Sequence, residues 1–338
     1  MDNSKERQNS LDFIRGIMML LVVFGHSLIL LTKEDVINTR IIEVIIGFIY
    51  SFHMPVLFAL SGYVSAINKK SIKKTLLKKE IIKNIISLYI PYFIMTYLYF
   101  AERLIASKIM HVSLNNEMNA SVSGVIRLLF DPGEFMTWFL FALLIAKIIS
   151  SVMVYFRLKW GCLFIFLVLF LISILGYGNF LIDRYLSWGI FYIIGFLIKD
   201  YEIDKSRYKA GFLIISLLMM TTGFYLIYLD GWKSEVNHGI KLLVGVGMFY
   251  FLLFCLKNIK LIPVINFWGK YSLILFFVHG LIQYITYMML HRIIGAAVIL
   301  IIIMNIVQII AAYIFYLLMY KVQFMRWIEF MVYPYKFL

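Results

Sequence analysis

Charge is scarce in this chain of 338 residues: Asp, Glu, Lys and Arg make up 15% of it, against 63% hydrophobic residues and a mean hydropathy of +0.90. Soluble domains carry roughly a quarter charged and about half apolar residues, so an ordinary soluble fold is excluded. Cysteine is scarcer still. Cys162 and Cys255 each sit in an apolar run, which argues for small buried hydrophobes and against a disulfide framework or a thiolate metal site. No metal-ligand spacing, phosphate loop or dinucleotide fingerprint is present, and there is neither a repeat period of about 20 to 50 residues nor a low-complexity tract.

What the chain has instead is apolar length. Runs bounded by charged or turn-forming residues predict about ten membrane helices. They lie near Leu11 to Leu31, Ile41 to Ile67, Ile85 to Ile105, Phe135 to Phe156, Trp160 to Gly176, Tyr185 to Ile198, Ala210 to Leu229, Ile240 to Leu256, Tyr271 to Leu290 and Ile293 to Tyr320. The expected fold is therefore an all-α polytopic bundle, one integral membrane domain over residues 1–338, with no room for a sizeable soluble domain. The first span is expected to be retained, because Gly25, His26 and Ser27 are followed by more apolar residues.

The formal charge of +14 gains its meaning from where the basic residues fall. With both termini in the cytoplasm, the alternating loops and tails place 21 lysines and arginines inside and 7 outside, and 4 fall in spans. That bias is topology, not a nucleic-acid footprint. Seven of the inside residues crowd between Lys69 and Lys83, where membrane lipids or an anionic ligand would meet them. On the outer side, the longest polar stretch runs from about Ser107 to Glu134, either a cap over an outward-facing site or a plain connector.

Ionisable residues inside spans are costly and usually face a bundle interior or a cavity. Arg15 and His26 stand eleven residues apart on the first predicted helix. At about 100° per residue that puts them on one face, roughly 16 Å apart along the axis. Arg15 then lies at the cytoplasmic end and His26 in the outer half. His53 in the second span, with Pro55 just after it, and His279 in the ninth both fall near mid-depth. Neutral imidazole is a usual base for removing a hydroxyl proton, and guanidinium suits phosphate. Each has a structural alternative: Arg15 as an interfacial anchor to lipid phosphate, and the histidines as buried groups bonded to carbonyls. His111, His238 and His291 sit in outer loops or at their ends and are expected to be solvated.

Arg15 and His26, followed by Phe52-His53-Met54-Pro55 and Ser61-Gly62-Tyr63, resemble the acyltransferase-3 family of integral membrane acyltransferases, most closely its fucose 4-O-acetylase-like branch. Looser matches are Ile90-Pro91-Tyr92, Trp138-Phe139-Leu140 and Gly269-Lys270-Tyr271-Ser272 leading to His279, so the resemblance covers nearly the whole chain. It implies O-acyl transfer, and O-acetyl transfer foremost. The donor would be acetyl-coenzyme A or another acyl-coenzyme A used as substrate, with no bound cofactor. The acceptor would be a hydroxyl of a cell-surface polysaccharide or lipid-linked glycan, at a bacterial plasma membrane. It also implies Arg15 and His26 as the essential pair, Arg15 on the donor's phosphates, with His53 and His279 as further candidates. The hydrolase-like domain that some relatives append is not expected here.

Ser61 is not beside a histidine–carboxylate pair, and serine followed by glycine in a membrane helix usually serves close packing. Trp138 is either an outer-vestibule ring that stacks on sugars or an interfacial belt residue, and Asp12 is expected to cap or anchor the first helix near its start. Two other classes fit the same features: a glycan or lipid-linked sugar transporter or flippase with relaying histidines, and a non-catalytic assembly partner. Matching broken helices in two halves, expected of many transporters, are absent from the sequence.

The charge bias makes a direct topological prediction. A cysteine placed at Asn116 is expected to react with an impermeant thiol reagent in intact cells and one at Lys73 to stay protected; the opposite pattern would invert the orientation.

Overall fold

In lipid every backbone polar group must find its partner inside the protein, which restricts apolar spans to helices or closed barrels. The computed structural model takes the helical solution. It describes residues 3–34, 36–37, 39–67, 74–110, 122–132, 135–230, 237–256, 262–291, 293–322 and 326–334, and no strand occurs among them.

In chain order the helices are α1 (Asn3–Lys33), α2 (Arg40–Ile67), α3 (Lys74–Met110), α4 (Val122–Arg127), α5 (Trp138–Tyr155), α6 (Lys159–Ile174), α7 (Gly189–Asp200), α8 (Lys209–Asp230), α9 (Asn237–Cys255), α10 (Pro263–Lys270), α11 (Ser272–Leu290), α12 (Ala297–Lys321) and α13 (Arg326–Val332). A π-helical turn, Ile182–Leu186, precedes α7. Seven of these, α1, α2, α3, α5, α8, α11 and α12, are long and apolar enough to cross a membrane, and α6 and α9 are shorter apolar helices. The protein is an all-α, multi-pass membrane protein.

Contacts between helices sort the chain into two ends. At one, Tyr63 donates to Asp204, Ser151 to Glu80, and Lys159 pairs with Asp200. The same end holds the α1–α10 contact, where a Cβ on Gly269 would overlap the Asp12 carbonyl and one on Gly16 the Ile265 carbonyl. This end carries Lys83, Lys159, Lys209 and Lys270 and is the basic end. At the other, Arg40 donates to the carbonyls of Tyr228 and Leu229, and Leu28, Leu31, Ile46, Tyr287 and Leu300 form a separate apolar cluster. Every pairing joins residues that an alternating up-and-down path would place on the same side.

Several expectations change. Helix α1 starts at Asn3, so Asp12 lies more than two turns inside it and is no cap; its carboxylate takes a hydrogen bond from Arg15 instead, at 2.7 Å. Lys74 to Lys83 are not loop but the opening turns of α3, as lysine's good helix propensity allows; residues 68–73 lie outside the described residues. The sixth span, expected as Tyr185 to Ile198, is broken. Its α-helical part has 12 residues, about 18 Å at 1.5 Å each, well short of a hydrocarbon core of roughly 30 Å. Gly62 and Gly195 fix its position: a Cβ on Gly62 would overlap the Tyr192 carbonyl and one on Gly195 the Ala59 carbonyl, so α2 and α7 cross backbone to backbone. Ser61 beside it donates to the Leu57 carbonyl at 2.9 Å, the packing role.

The stretch from Ser107 to Glu134 also departs from a simple outer loop. Residues 111–121, 133 and 134 lie outside the described residues, but α4 and the turn after it lie beside the middle of α3. Tyr89, Tyr92 and Tyr97 of α3 donate to the carbonyls of Leu129, Leu128 and Val125 at 3.2, 2.8 and 2.8 Å, and Tyr185 donates to Phe130 at 3.1 Å. Four tyrosine hydroxyls thus satisfy a short segment of backbone that a bilayer would otherwise penalise. Asp131, 6% exposed, is held by Arg127 at 2.6 Å.

This arrangement predicts the effect of removing one hydroxyl. Tyr92→Phe leaves the Leu128 carbonyl unpaired in a buried place and is expected to cost about 1–3 kcal/mol of stability. Thermal unfolding in detergent measures it, and an unchanged melting temperature would contradict the assignment.

Candidate functional site

Helices α1, α2, α9 and α11 bring together side chains far apart in sequence. His26 of α1, Tyr50 and His53 of α2 and Lys241 of α9 line a cavity of about 120 Å³, closed by Trp138 and Trp188, with Val22, Met54 and Phe276 among its apolar walls. His279 of α11 stands behind His26, ring centroids 5.7 Å apart, and is fully buried. The cavity is smaller than the roughly 300–1,000 Å³ of sites that engulf a whole ligand, so it suits a reacting group.

The hydrogen bonds fix two tautomers. His53 Nδ1 lies 2.7 Å from the Ile49 carbonyl and His279 Nδ1 lies 3.0 Å from the Leu275 carbonyl. A carbonyl only accepts, so each Nδ1 carries the hydrogen and each Nε2 is left with a lone pair. In His279 that Nε2 is buried and has no partner among the described residues. A buried acceptor without a donor is costly, and His279 is set behind the lining of the cavity, not in it. His26 differs: its Nδ1 lies 3.2 Å from the Tyr50 hydroxyl, and Tyr50 also packs edge-on against His53 at 4.7 Å. Ser27, next to His26, accepts from Gln308 of α12 at 3.2 Å, which ties the rotation of α1 to its neighbour.

Lys241 puts a cation into this setting, its Nζ 5.6 Å from the Trp188 ring centre. Pro55, one turn or less from His53, is buried, and Gly245 of α9 packs on its ring; with no N–H, it frees the Ser51 carbonyl from the helix ladder.

Arg15 is placed apart. It lies near the basic end of α1, a partly buried side chain paired with Asp12, with Lys147 of α5 in electrostatic reach. The structure therefore gathers His26, His53 and His279 and leaves Arg15 about three turns away on the same helix. Trp138 is no belt residue: it packs against Trp188 with centroids 5.0 Å apart inside the bundle. His291 caps α11 through a 3.0 Å contact to the Tyr287 carbonyl and stacks on that ring, more enclosed than expected. His111 lies outside the described residues, as does the side chain of His238. Both cysteines are free, and no cluster of metal-ligating side chains occurs among the described residues.

Sequence reasoning passed over Tyr50, Lys241 and Trp188. Two had a signal: Tyr50 precedes His53 by three residues, hence one helix face, and Lys241 is a lone cation opening an apolar run. Trp188 had none, because its neighbours in space come from α2, α5 and α9.

A many-helix membrane protein with an enclosed imidazole cluster is the class this geometry defines. Residues 8–322 match the acyltransferase domain of the acyltransferase-3 family, and the chain belongs to that family. It is therefore a membrane protein of an acyltransferase family, and the transporter alternative finds no support. Over 63 residues it is 36% identical to the nodulation protein NolL of Sinorhizobium fredii (strain NBRC 101917 / NGR234), a stretch of 19% of this chain and 17% of that protein. No solved structure matches.

The Tyr50 contact yields a prediction. Tyr50→Phe keeps the ring packing but removes the hydrogen bond to His26, so acyl transfer is expected to slow about three- to tenfold, the equivalent of one hydrogen bond, without loss of folded protein. An unchanged turnover would make the contact incidental.

Proposed function

We propose that this protein is an O-acetyltransferase that moves acetyl from cytoplasmic acetyl-coenzyme A to a hydroxyl of a cell-surface polysaccharide or lipid-linked glycan, in a bacterial plasma membrane. The observation that carries the reading is the enclosed cavity in which His26, Tyr50 and His53 meet Lys241, with His279 behind them. An ester transfer needs a base for the hydroxyl proton, a cation or donors for the oxyanion, and exclusion of water. All three are present in one place.

In the proposed step His26 is the base. Tyr50 oxygen accepts the Nδ1 hydrogen, leaving the Nε2 lone pair to take the proton of the sugar hydroxyl. The hydroxyl oxygen bonds to the acetyl carbonyl carbon, and the carbonyl oxygen gathers negative charge beside Lys241. As the carbonyl re-forms, the carbon–sulfur bond breaks and the coenzyme A thiolate leaves with the proton that His26 has held. While His26 takes the hydroxyl's single proton, the lone pair on His53 Nε2 accepts from a water or a neighbouring hydroxyl of the sugar, which orients it.

Arg15 serves the donor's phosphates at the basic end, where guanidinium can bind two phosphate oxygens at once, and Lys147 and Lys270 near it add charge. The pantetheine arm then has about 16 Å of α1 to traverse before His26.

Two substitutions separate the roles. His26→Ala is expected to lower transfer by about 10²- to 10⁴-fold in protein present at the normal level, the usual weight of a general base. Arg15→Lys is expected to raise the Michaelis constant for acetyl-coenzyme A with little change in turnover, since an ammonium cannot form the two-pronged contact. Steady-state kinetics on reconstituted protein reads both; near-normal transfer in His26→Ala would leave that residue a structural role only.

A further inference from the structure

We infer that the acceptor glycan is held in a second, outward-opening cleft lined by Trp138, Phe180, Asp183, Arg184 and Trp188, which presents one neutral sugar ring to the histidine cavity through the two tryptophans. The cleft has a volume of about 430 Å³ and is shallow and open. Trp138 and Trp188 line it and the histidine cavity alike, so the pair is the wall between the two spaces. Their rings meet at 49°, presenting a bent aromatic surface and not a flat stack.

The cleft opens where the α-helical part of α7 stops short. Helix α7 rises about 18 Å from the basic end, where Asp200 pairs with Lys159, and α5 has 18 residues, about 27 Å. The α-helical part of α7 therefore begins below the far face of a hydrocarbon core of roughly 30 Å, with Trp188 at its start, and Trp138 opens the spanning helix α5 beside it. Tyr185 of the π turn donates to the Phe130 carbonyl, which ties the turn that carries Asp183 and Arg184 to the segment beside α3.

Its lining matches a sugar. The C–H face of a pyranose carries partial positive charge and packs on the negative face of an aromatic ring, while its hydroxyl edge needs donors and acceptors together. Asp183 accepts and Arg184 donates, and neither spends its charge in an ion pair with another described residue; Arg184 lies over the Phe180 ring at 5.5 Å. Asp183 Oδ1 is buried against Gly178 with no hydrogen-bond partner among the described residues, which fixes the carboxylate at the edge of the cleft that it lines. Both sit in the π-helical turn Ile182–Leu186, a register that is rare and recurs at functional sites. One acid and one base cancel, which favours an uncharged ring over a uronate or an amino sugar.

The inference rests on the acetyl-transfer reading for the role of the bound ring, but its test does not. Saturation-transfer NMR on the full chain in nanodiscs, with the methyl glycosides of fucose, rhamnose, glucose and galactose as probes, measures binding without any acyl donor. At least one glycoside is expected to bind, and Phe180→Ala and Arg184→Gln are expected to weaken it at least fivefold; Asp183→Asn, a milder change, should weaken the same glycoside. Acetyl-coenzyme A binding should stay within twofold of normal in all three variants, which also reports that they are folded. No binding by the unaltered protein, or equal binding by the variants, overturns the cleft assignment. Binding that depends on these residues supports it even if no acetyl is transferred to the bound glycoside, an outcome that would count against the acetyl-transfer reading alone.

Discussion

A helix of 12 residues cannot cross a bilayer, and the arrangement of this protein follows from how that shortfall is accommodated. Helix α7 is held against α2 by two glycines whose backbones touch across the crossing, so it cannot slide outward to fill the gap. The space above it is bordered by a π turn and by the segment beside α3, whose carbonyls are satisfied by tyrosine hydroxyls instead of by helix or water. The internal satisfaction of backbone groups that lipid demands is thus met without filling the recess.

That recess sets the depth at which chemistry happens. The histidine cavity lies beneath it, separated by the two tryptophans, and Arg15 lies further down the same α1 that carries His26. In the reaction we propose, donor and acceptor approach from opposite ends and meet within the bundle, with Lys241 and the imidazoles gathered where the dielectric is low and a cation has its largest effect on a developing oxyanion. Ser27 and Gln308, together with the packing of α10 on the start of α1, hold the rotation of the helix on which both Arg15 and His26 depend.

Much of this was legible in the sequence. The apolar runs mark the spanning helices, and the eleven-residue spacing of Arg15 and His26 needs only helical periodicity. His53 and His279 were legible as intramembrane imidazoles, and their convergence on His26 in the fold is what the spacing could not supply. Hydropathy measures how long an apolar run is, not how deep its ends lie, which is why the sixth span read as a full helix and the stretch around Leu128 as an outer loop. The tyrosines that stabilise that stretch are spread along α3 and look like ordinary apolar residues in a span. Asp12 was misplaced for a related reason: α1 continues past the apolar run into polar sequence, and the carboxylate becomes the partner of Arg15.

The proposed reaction requires opposed access, and sidedness measures it. In proteoliposomes of known orientation, with labelled acetyl-coenzyme A confined to the face bearing Arg15 and an accepted glycoside confined to the other, label should appear on the glycoside. Reversing the two substrates should give none. Transfer only when donor and acceptor share one face would contradict a path through the bundle, and with it the placing of Arg15, His26 and the outer cleft along a single route.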